Sequence, residues 1–314
     1  MTQEITRYIG LDIAKSQLDF YEETLGAMRF SNSPTGIKKV ITMCQKISNP
    51  LVICEATSHY HVSVTQALQN AGIRVSVVNP RYVRSFARAK GHLEKTDAID
   101  SKIIAHFGSS IRPKLLSTLT EEKVQLKALQ TRARQLTQMI VMEKTHREGL
   151  TTAAMQAQAS QHLQYIEQQL EEVEVKMDGL IRQNPELQAI KTRLLTVPGV
   201  GPKTARLLVS DLPELGKMSH KALSKLVGVA PLNNDSGGTR GKRSIHGGRK
   251  SIRNGLYMAA LSAKKHNPLI RDLYDRLMLR GKLPKVAMVA CMRKLLLLLN
   301  SMVKNGTDFT IPPL

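Results

Sequence analysis

The spacing of apolar residues changes twice along the 314-residue chain, and each change marks a new kind of structure. In "TRYIGLDIAKSQLDFYEE", β-branched and aromatic residues flank a short polar turn, which predicts a two-stranded hairpin. "AMRFSNS" predicts a third strand, and "PTGIKKVITMCQKI" shifts to helical spacing with Pro34 near its start. "PLVICEAT" is a short unbroken apolar run, the pattern of a strand buried on both faces. A helix over "HYHVSVTQALQNAG", a strand over "IRVSVVNP" and helices over "RYVRSFARAKG" and "TDAIDSKIIAHFG" follow. A hairpin followed by βαβ units predicts a mixed α/β domain over residues 1–114.

Between Leu115 and Gln183 there is no proline, and Gly149 and Gly179 are the only glycines. Apolar residues recur at helical spacing in "LKALQTRARQLTQMIVMEKTHREGL" and "HLQYIEQQLEEVEVKMDGLI". Two long helices are expected over 115–184, as an antiparallel pair or an oligomeric coiled coil, broken across Gly149–Ser160. Residues 185–314 predict a third, mainly α-helical domain. Within it, "LLTVPGVGPKTARLLVSDL" sets P-G-V-G between apolar helices and carries Lys203 just behind it. Those glycines suit either backbone contact with a phosphate or simple helix packing. The turn is not a nucleotide-binding P-loop, because its glycine spacing is wrong and proline precedes the lysine. "VAMVACMRKLLLLLN" is interrupted by Arg293 and Lys294, so a buried helix is expected rather than a membrane span.

Composition turns this outline toward a polyanionic partner. The hydrophobic share of 42% is that of a globular chain, yet the net charge is +21. Such an excess repels itself unless something neutralises it, and nucleic acid is the first candidate, ahead of an anionic membrane. Aromatic residues make up only 4% and tryptophan is absent, which disfavours binding by extensive base stacking. Three cysteines without a C-x-x-C pair, and no signal-like N-terminal run, predict a reduced, cytoplasmic setting.

Four acids stand out by placement. Asp12 ends the first strand, Glu55 ends the buried strand, and Asp97 and Asp100 lie three apart on one helix face. Carboxylates on neighbouring strand ends, completed from a helix, suit a hard divalent cation such as Mg²⁺. Each has an ordinary alternative as a helix cap or a wet strand end, but the ordered set is harder to dismiss. Arg81, Arg84, Arg88, Lys90 and Lys95 would suit a phosphate backbone or form a solvated helix face. His59 and His61 beside Glu55 do not make a zinc signature. Farther on, "DSGGTRGKRSIHGGRKSIR" surrounds Ser236 with Arg240, Lys242, Arg243, Arg249, Lys250 and Arg253 and no further acid. Those cations argue for a bound phosphate, whereas a serine in a glycine-rich loop is most often a turn residue.

The ordered set "YIGLDIAK", "CEAT", "KTDAIDSKIIA", "TVPGVGPKTA", "LVGVAP", "DSGG" and "GGRKSIRNGLYMAAL" resembles the DEDD transposases of insertion sequences, the IS one-ten family, which are similar to Piv-type DNA invertases. The resemblance spans essentially the whole chain. It implies a RuvC-like, ribonuclease-H-type first domain, a coiled-coil region and a transposase domain. It further implies that Asp12, Glu55, Asp97 and Asp100 hold Mg²⁺ and that Ser236 is a nucleophile forming a covalent phosphoserine link. By the same resemblance, the partners are donor and target DNA, a structured bridge RNA and further copies of the chain in a dimer or tetramer. No membrane partner is expected, and the protein would meet the bacterial nucleoid through DNA. If the serine were misassigned, Ser244 and Ser251 are the nearest substitutes. Two other readings remain: a junction-resolving metal nuclease in which Ser236 only binds DNA, and a non-catalytic nucleic-acid-binding protein.

Overall fold

The computed structural model describes residues 6–56, 60–91, 97–116, 121–232 and 244–310, with residues 97–99 as backbone only. The chain divides into two units, Met1–Leu119 and Thr120–Leu314.

In the first unit, β1 (Arg7–Ile13), β2 (Gln17–Glu22) and β3 (Gly26–Ser31) form an antiparallel meander. Helix α1 (Pro34–Gln45) then begins behind Ser33, whose hydroxyl accepts from the Gly36 amide at 3.2 Å. Strand β4 (Pro50–Glu55) pairs parallel to β1, and after α2 (Tyr60–Asn70) strand β5 (Arg74–Val78) pairs parallel to β4. The sheet order is β3-β2-β1-β4-β5, and α3 (Pro80–Ala89) and α4 (Asp97–Ile111) complete the unit.

Strand alternation sorts this sheet into two faces. Ile9 and Leu11 of β1, with Val52 and Cys54 of β4, share a core with Val40 and Cys44 of α1 and Val64 and Leu68 of α2. The opposite face carries Leu51 and Ile53, which pack with Ile103, Ile104 and Phe107 of α4 and Val83 of α3. At the edge of the unit, buried Glu22 accepts from the Arg7 guanidinium at 2.9 Å and from the Thr24 and Leu25 amides at 2.8 and 3.1 Å. Burial pushes the Glu22 carboxyl up, but these donors outweigh it and hold its pKa below the ordinary value.

The second unit is helical. Helices α5 (Glu121–Glu148) and α6 (Ala153–Gln183) form a hairpin. Asn184 reaches Glu122 at one end (3.2 Å), and Arg147 reaches Ser160 at the other (3.4 Å), so the pair is antiparallel. Their facing residues follow a heptad: Leu126, Leu129, Ala133, Leu136 and Ile140 on α5, with Leu163, Ile166, Leu170, Val173 and Met177 on α6. The break is shorter than the sequence suggests. Thr152 caps α6 by accepting from the Met155 amide at 3.4 Å, and Ser160 returns its hydroxyl to the Gln156 carbonyl at 2.7 Å without interrupting the helix.

Asn184 ends α6 and caps α7 (Pro185–Leu195), after which come α8 (Pro202–Asp211) and α9 (His220–Val227). A two-residue ladder joins β6 (Pro231–Leu232) to β7 (Ser244–Ile245), and α10 (Lys250–His266), α11 (Pro268–Leu279) and α12 (Pro284–Asn305) close the unit. One continuous core runs from the α5–α6 hairpin through these helices. By length and composition α12 is apolar enough to cross a membrane. In the fold, its Ala287, Cys291, Leu295, Leu296 and Leu299 are fully buried, and it packs on α7, α9, α10 and α11.

Candidate functional site

The acidic site is built by strand register. Leu11 of β1 pairs with Cys54 of β4, which makes Asp12 and Glu55 the next positions on adjacent parallel strands. Each lies two residues beyond one that faces α4: Gly10 on β1 and Ile53 on β4. Asp12 and Glu55 therefore share the α4 face, and both are half-buried.

Helix α4 crosses at close range because Gly10 has no side chain. A Cβ there would lie 2.7 Å from the Ala105 amide nitrogen and closer still to the Ser101 carbonyl oxygen. Farther along α4, a Cβ on Gly108 would meet Ile53 Cγ1 at 2.5 Å and Tyr8 Cδ1 at 3.1 Å. Tyr8 thus lies under residue 108 and Gly10 under residues 101–105, so α4 runs against β1 with its first turn toward Asp12. Asp100 sits in that turn, half-buried, beside the fully buried Ser101. The backbone of Asp97 starts the same helix, and its side chain lies outside the described residues.

A fifth acid escaped the sequence reading. Asp19 pairs across β1–β2 with Asp12, is 7% exposed, and meets Arg29 Nε at 2.7 Å. Two acids directly opposite on antiparallel strands repel, and the Arg29 guanidinium offsets that cost. The polar position 19 within the apolar stretch "LDFY" was the available signal. Among the described residues, no group of three or more His, Cys, Asp or Glu side chains stands at metal-holding distance. The donor chemistry of Asp12, Glu55 and Asp100, carboxylate oxygens at two half-buried strand ends and a helix turn, fits a hard divalent cation.

The cations fall into two groups. On α3, Arg81, Arg84 and Arg88 are exposed, recur at helical spacing and face no acid on their own helix, while Lys90 lies over the Phe86 ring at 5.0 Å. In the second unit several cations serve the protein itself. Lys203 is exposed and stands 4.0 Å from Glu174, which also binds the buried Arg206 at 2.5 Å. Gly199 of the P-G-V-G turn adopts φ +99°, and a Cβ there would meet the Ala263 backbone at 2.5 Å. That glycine is therefore used to pack the turn against α10.

Residues 233–243, with Ser236, Arg240, Lys242 and Arg243, lie outside the described residues. Their flanks are defined. Leu232 pairs with Ser244, so the ends of this segment are held side by side. Just beyond, Arg249 forms a two-pronged bridge to Glu214 (2.6 and 2.6 Å) and donates to the Asp211 carbonyl at 2.9 Å. Arg253 donates to the Gly247 carbonyl, and the Arg249 amide to the Leu226 carbonyl at 3.1 Å. Lys250 stays exposed. Burial pushes the Asp211 carboxyl up, against the pull of Arg134, Lys127, Arg249 and the Ser251 hydroxyl. Ser251 thus lies beside Asp211, whereas Ser244 is exposed at the mouth of the segment.

Comparison with known proteins gives this arrangement a context. Residues 9–154 match a family model described as a transposase, of the DEDD type of IS110 elements, and residues 191–275 match the transposase family IS116/IS110/IS902. The chain is 28% identical over 313 residues to the pilin gene-inverting protein of Moraxella bovis, covering 96% of this chain and 97% of that protein. The Moraxella lacunata pilin gene-inverting protein matches at the same identity and coverage. The transposase for insertion sequence element IS1328 of Yersinia enterocolitica is 23% identical over 266 residues, with 73% and 75% covered. The class is that of enzymes that recombine DNA, transposases and their recombinase relatives. Within it, the chain belongs to the IS110 transposase family.

Proposed function

We propose that this protein is a site-specific recombinase that cuts DNA strands through Ser236 and rejoins them to new partners, in transposition or inversion. The observation that carries the reading is the register that makes Asp12 and Glu55 neighbours on the face crossed by the first turn of α4, where Asp100 lies. The strand order, an antiparallel meander continued by two parallel strands, supports a RuvC-like, ribonuclease-H-type first domain over 1–114. The heptad hairpin supports a coiled-coil spacer over 115–184, ahead of a transposase domain over 185–314.

Asp12, Glu55, Asp97 and Asp100 would hold Mg²⁺, which supplies charge stabilisation to a phosphate and its leaving oxygen. The chain's own residues do the rest. The Ser236 oxygen attacks phosphorus, the bond from phosphorus to one deoxyribose oxygen breaks, and the serine proton ends on that departing hydroxyl. The phosphodiester survives as a serine ester, so a hydroxyl from another strand can reverse the step without ATP. Arg81, Arg84 and Arg88 would track one backbone, and Lys250 with Arg240, Lys242 and Arg243 another. A net charge of +21 supports holding DNA together with a structured bridge RNA whose base pairing selects sequence. Several copies of the chain would hold the two duplexes.

Denaturing gels after incubation with cognate DNA test the proposal. A protein–DNA adduct is expected from the native chain in Mg²⁺, none from Ser236→Ala, and none in EDTA. An adduct surviving Ser236→Ala removes the serine assignment. Free cut ends without any adduct would instead establish a junction-resolving nuclease. Full activity of Asp12→Ala or Asp100→Ala, or in EDTA, removes the metal role.

A further inference from the structure

The turn between α11 and α12 is the most exposed apolar feature among the described residues of the second unit. Leu279 is 89% exposed, Leu283 71% and Val286 54%. Arg280, Lys282 and Lys285 alternate with them, all exposed, and no acid occurs between Asp275 and Asp308. Leucines left in water at a loop tip cost solubility, so an exposed apolar cluster of this kind marks a contact.

The tip is also firmly built. Gly281 takes the left-handed conformation at φ +68°, its amide donates to the Met278 carbonyl at 2.9 Å, and the Lys282 amide donates to the Leu277 carbonyl at 3.1 Å. Pro284 starts α12 at once. Below the tip, Ile270 and Ala287 are fully buried, and the Cys291 thiol donates to the Ile270 carbonyl at 3.7 Å. The leucines are thus presented on a fixed support and lose little conformational freedom when they bind.

Charge selects the occupant. A second copy of this chain would bring its own large positive charge against the three tip cations. A polyanion offers phosphates to them and an apolar interior to the leucines. We infer that this turn is a DNA wedge: Leu279 and Leu283 enter between base pairs from the minor groove while Arg280, Lys282 and Lys285 seat on the flanking phosphates. Unstacking a step costs a few kcal/mol, which the bent duplex offsets through added protein contact. The inference rests on the proposed action on DNA and adds that the DNA is bent by this tip.

The test uses the full-length protein and a 30-base-pair mixed-sequence duplex carrying a fluorophore at each end. Anisotropy reads binding and energy transfer between the ends reads bending. Native protein should raise energy transfer. Leu279→Ser with Leu283→Ser should return it to the free-duplex value while weakening binding by no more than about tenfold. Replacing Arg280, Lys282 and Lys285 by alanine should lower the slope of log affinity against log salt by about 3. Native energy transfer in the double-serine protein overturns the wedge and leaves DNA action standing, and so does binding by the native chain without any bend. No binding of the duplex by the native chain overturns both. A change in solution mass on leucine replacement overturns the wedge in favour of a contact between copies. Loss of pelleting with phosphatidylglycerol vesicles, with the bend unchanged, overturns it in favour of a lipid surface.

Discussion

Replacing Gly10 by alanine should damage the protein far beyond the size of one methyl group. The new Cβ would sit 2.7 Å from the Ala105 nitrogen and nearer to the Ser101 oxygen, where ordinary contact begins at 3.4 Å. Both are main-chain atoms inside a helix, so neither can rotate away. Helix α4 must therefore retreat by more than the roughly 0.7 Å that the Ala105 nitrogen alone requires, because the Ser101 oxygen is nearer. Its inner face, with Ile103, Ile104 and Phe107 at most 5% exposed, loosens with it. Overpacking of this kind costs about 1–3 kcal/mol. Because Asp100 rides on the same helix, a shift approaching 1 Å should also cut strand transfer by about 100-fold. Urea unfolding followed by circular dichroism reads the first quantity, and adduct formation on cognate DNA the second. Gly179→Ala is the control: it lies within α6 in open space, and alanine there should be neutral or stabilising by up to about 1 kcal/mol. Native stability and native adduct yield in Gly10→Ala would refute the close-crossing account of the acidic site.

Other outcomes follow from buried groups. Glu22 has a depressed pKa, so its contribution is present above the unfolded carboxyl value and disappears as pH falls through the folded one. Glu22→Gln should cost about 1.5–3 kcal/mol at pH 7 and flatten the acid limb of urea midpoints taken downward from pH 6, and an unchanged acid limb contradicts this. Asp211 has the opposite sign: its raised pKa means that stability falls as pH climbs through its titration, and Asp211→Asn should remove that decline. Cys44 and Cys54 are pushed up to about 12, and Cys291 to about 11, by burial. Mass spectrometry after iodoacetamide at pH 8 should find all three unmodified until denaturant is added, and labelling of the native chain would contradict their burial.

The elements of the first unit were legible because each rests on a local rule. β-Branched and aromatic residues around a polar turn marked β1 and β2, the unbroken apolar run marked β4, and Pro34 marked a helix start, whereas Pro80, read as the end of a strand, opens α3. The long helices were legible from their heptads, although the break was placed too widely because Ala-rich "AAMQAQAS" has little apolar periodicity. The acids were legible as strand ends and a helix turn, but what brings them together is a register between residues 11 and 54 and a glycine beneath a distant helix. Neither leaves a local trace. Asp19 went unnoticed for the same reason, since its importance comes from lying opposite Asp12. Arg249 looked like one cation among several, and only the tertiary fold delivers Glu214 to it. P-G-V-G read equally well as packing or phosphate contact, and Ala263 accounts for Gly199.

The pairing of β1 also sets an order in time. With β2 it closes across three residues, Ala14 to Ser16, whereas with β4 it must wait for β2, β3 and α1 to be made. Near contacts form quickly and parallel pairing slowly, and a nascent chain leaves the ribosome N-terminus first. Asp12 is therefore among the earliest residues in the open and among the last to gain its full set of neighbours. A chain truncated before α4 would keep Asp12, Asp19 and Glu55 yet lack the helix that crosses them. A chain ending there should accordingly fail to bring Asp100 onto the face that Asp12 and Glu55 share.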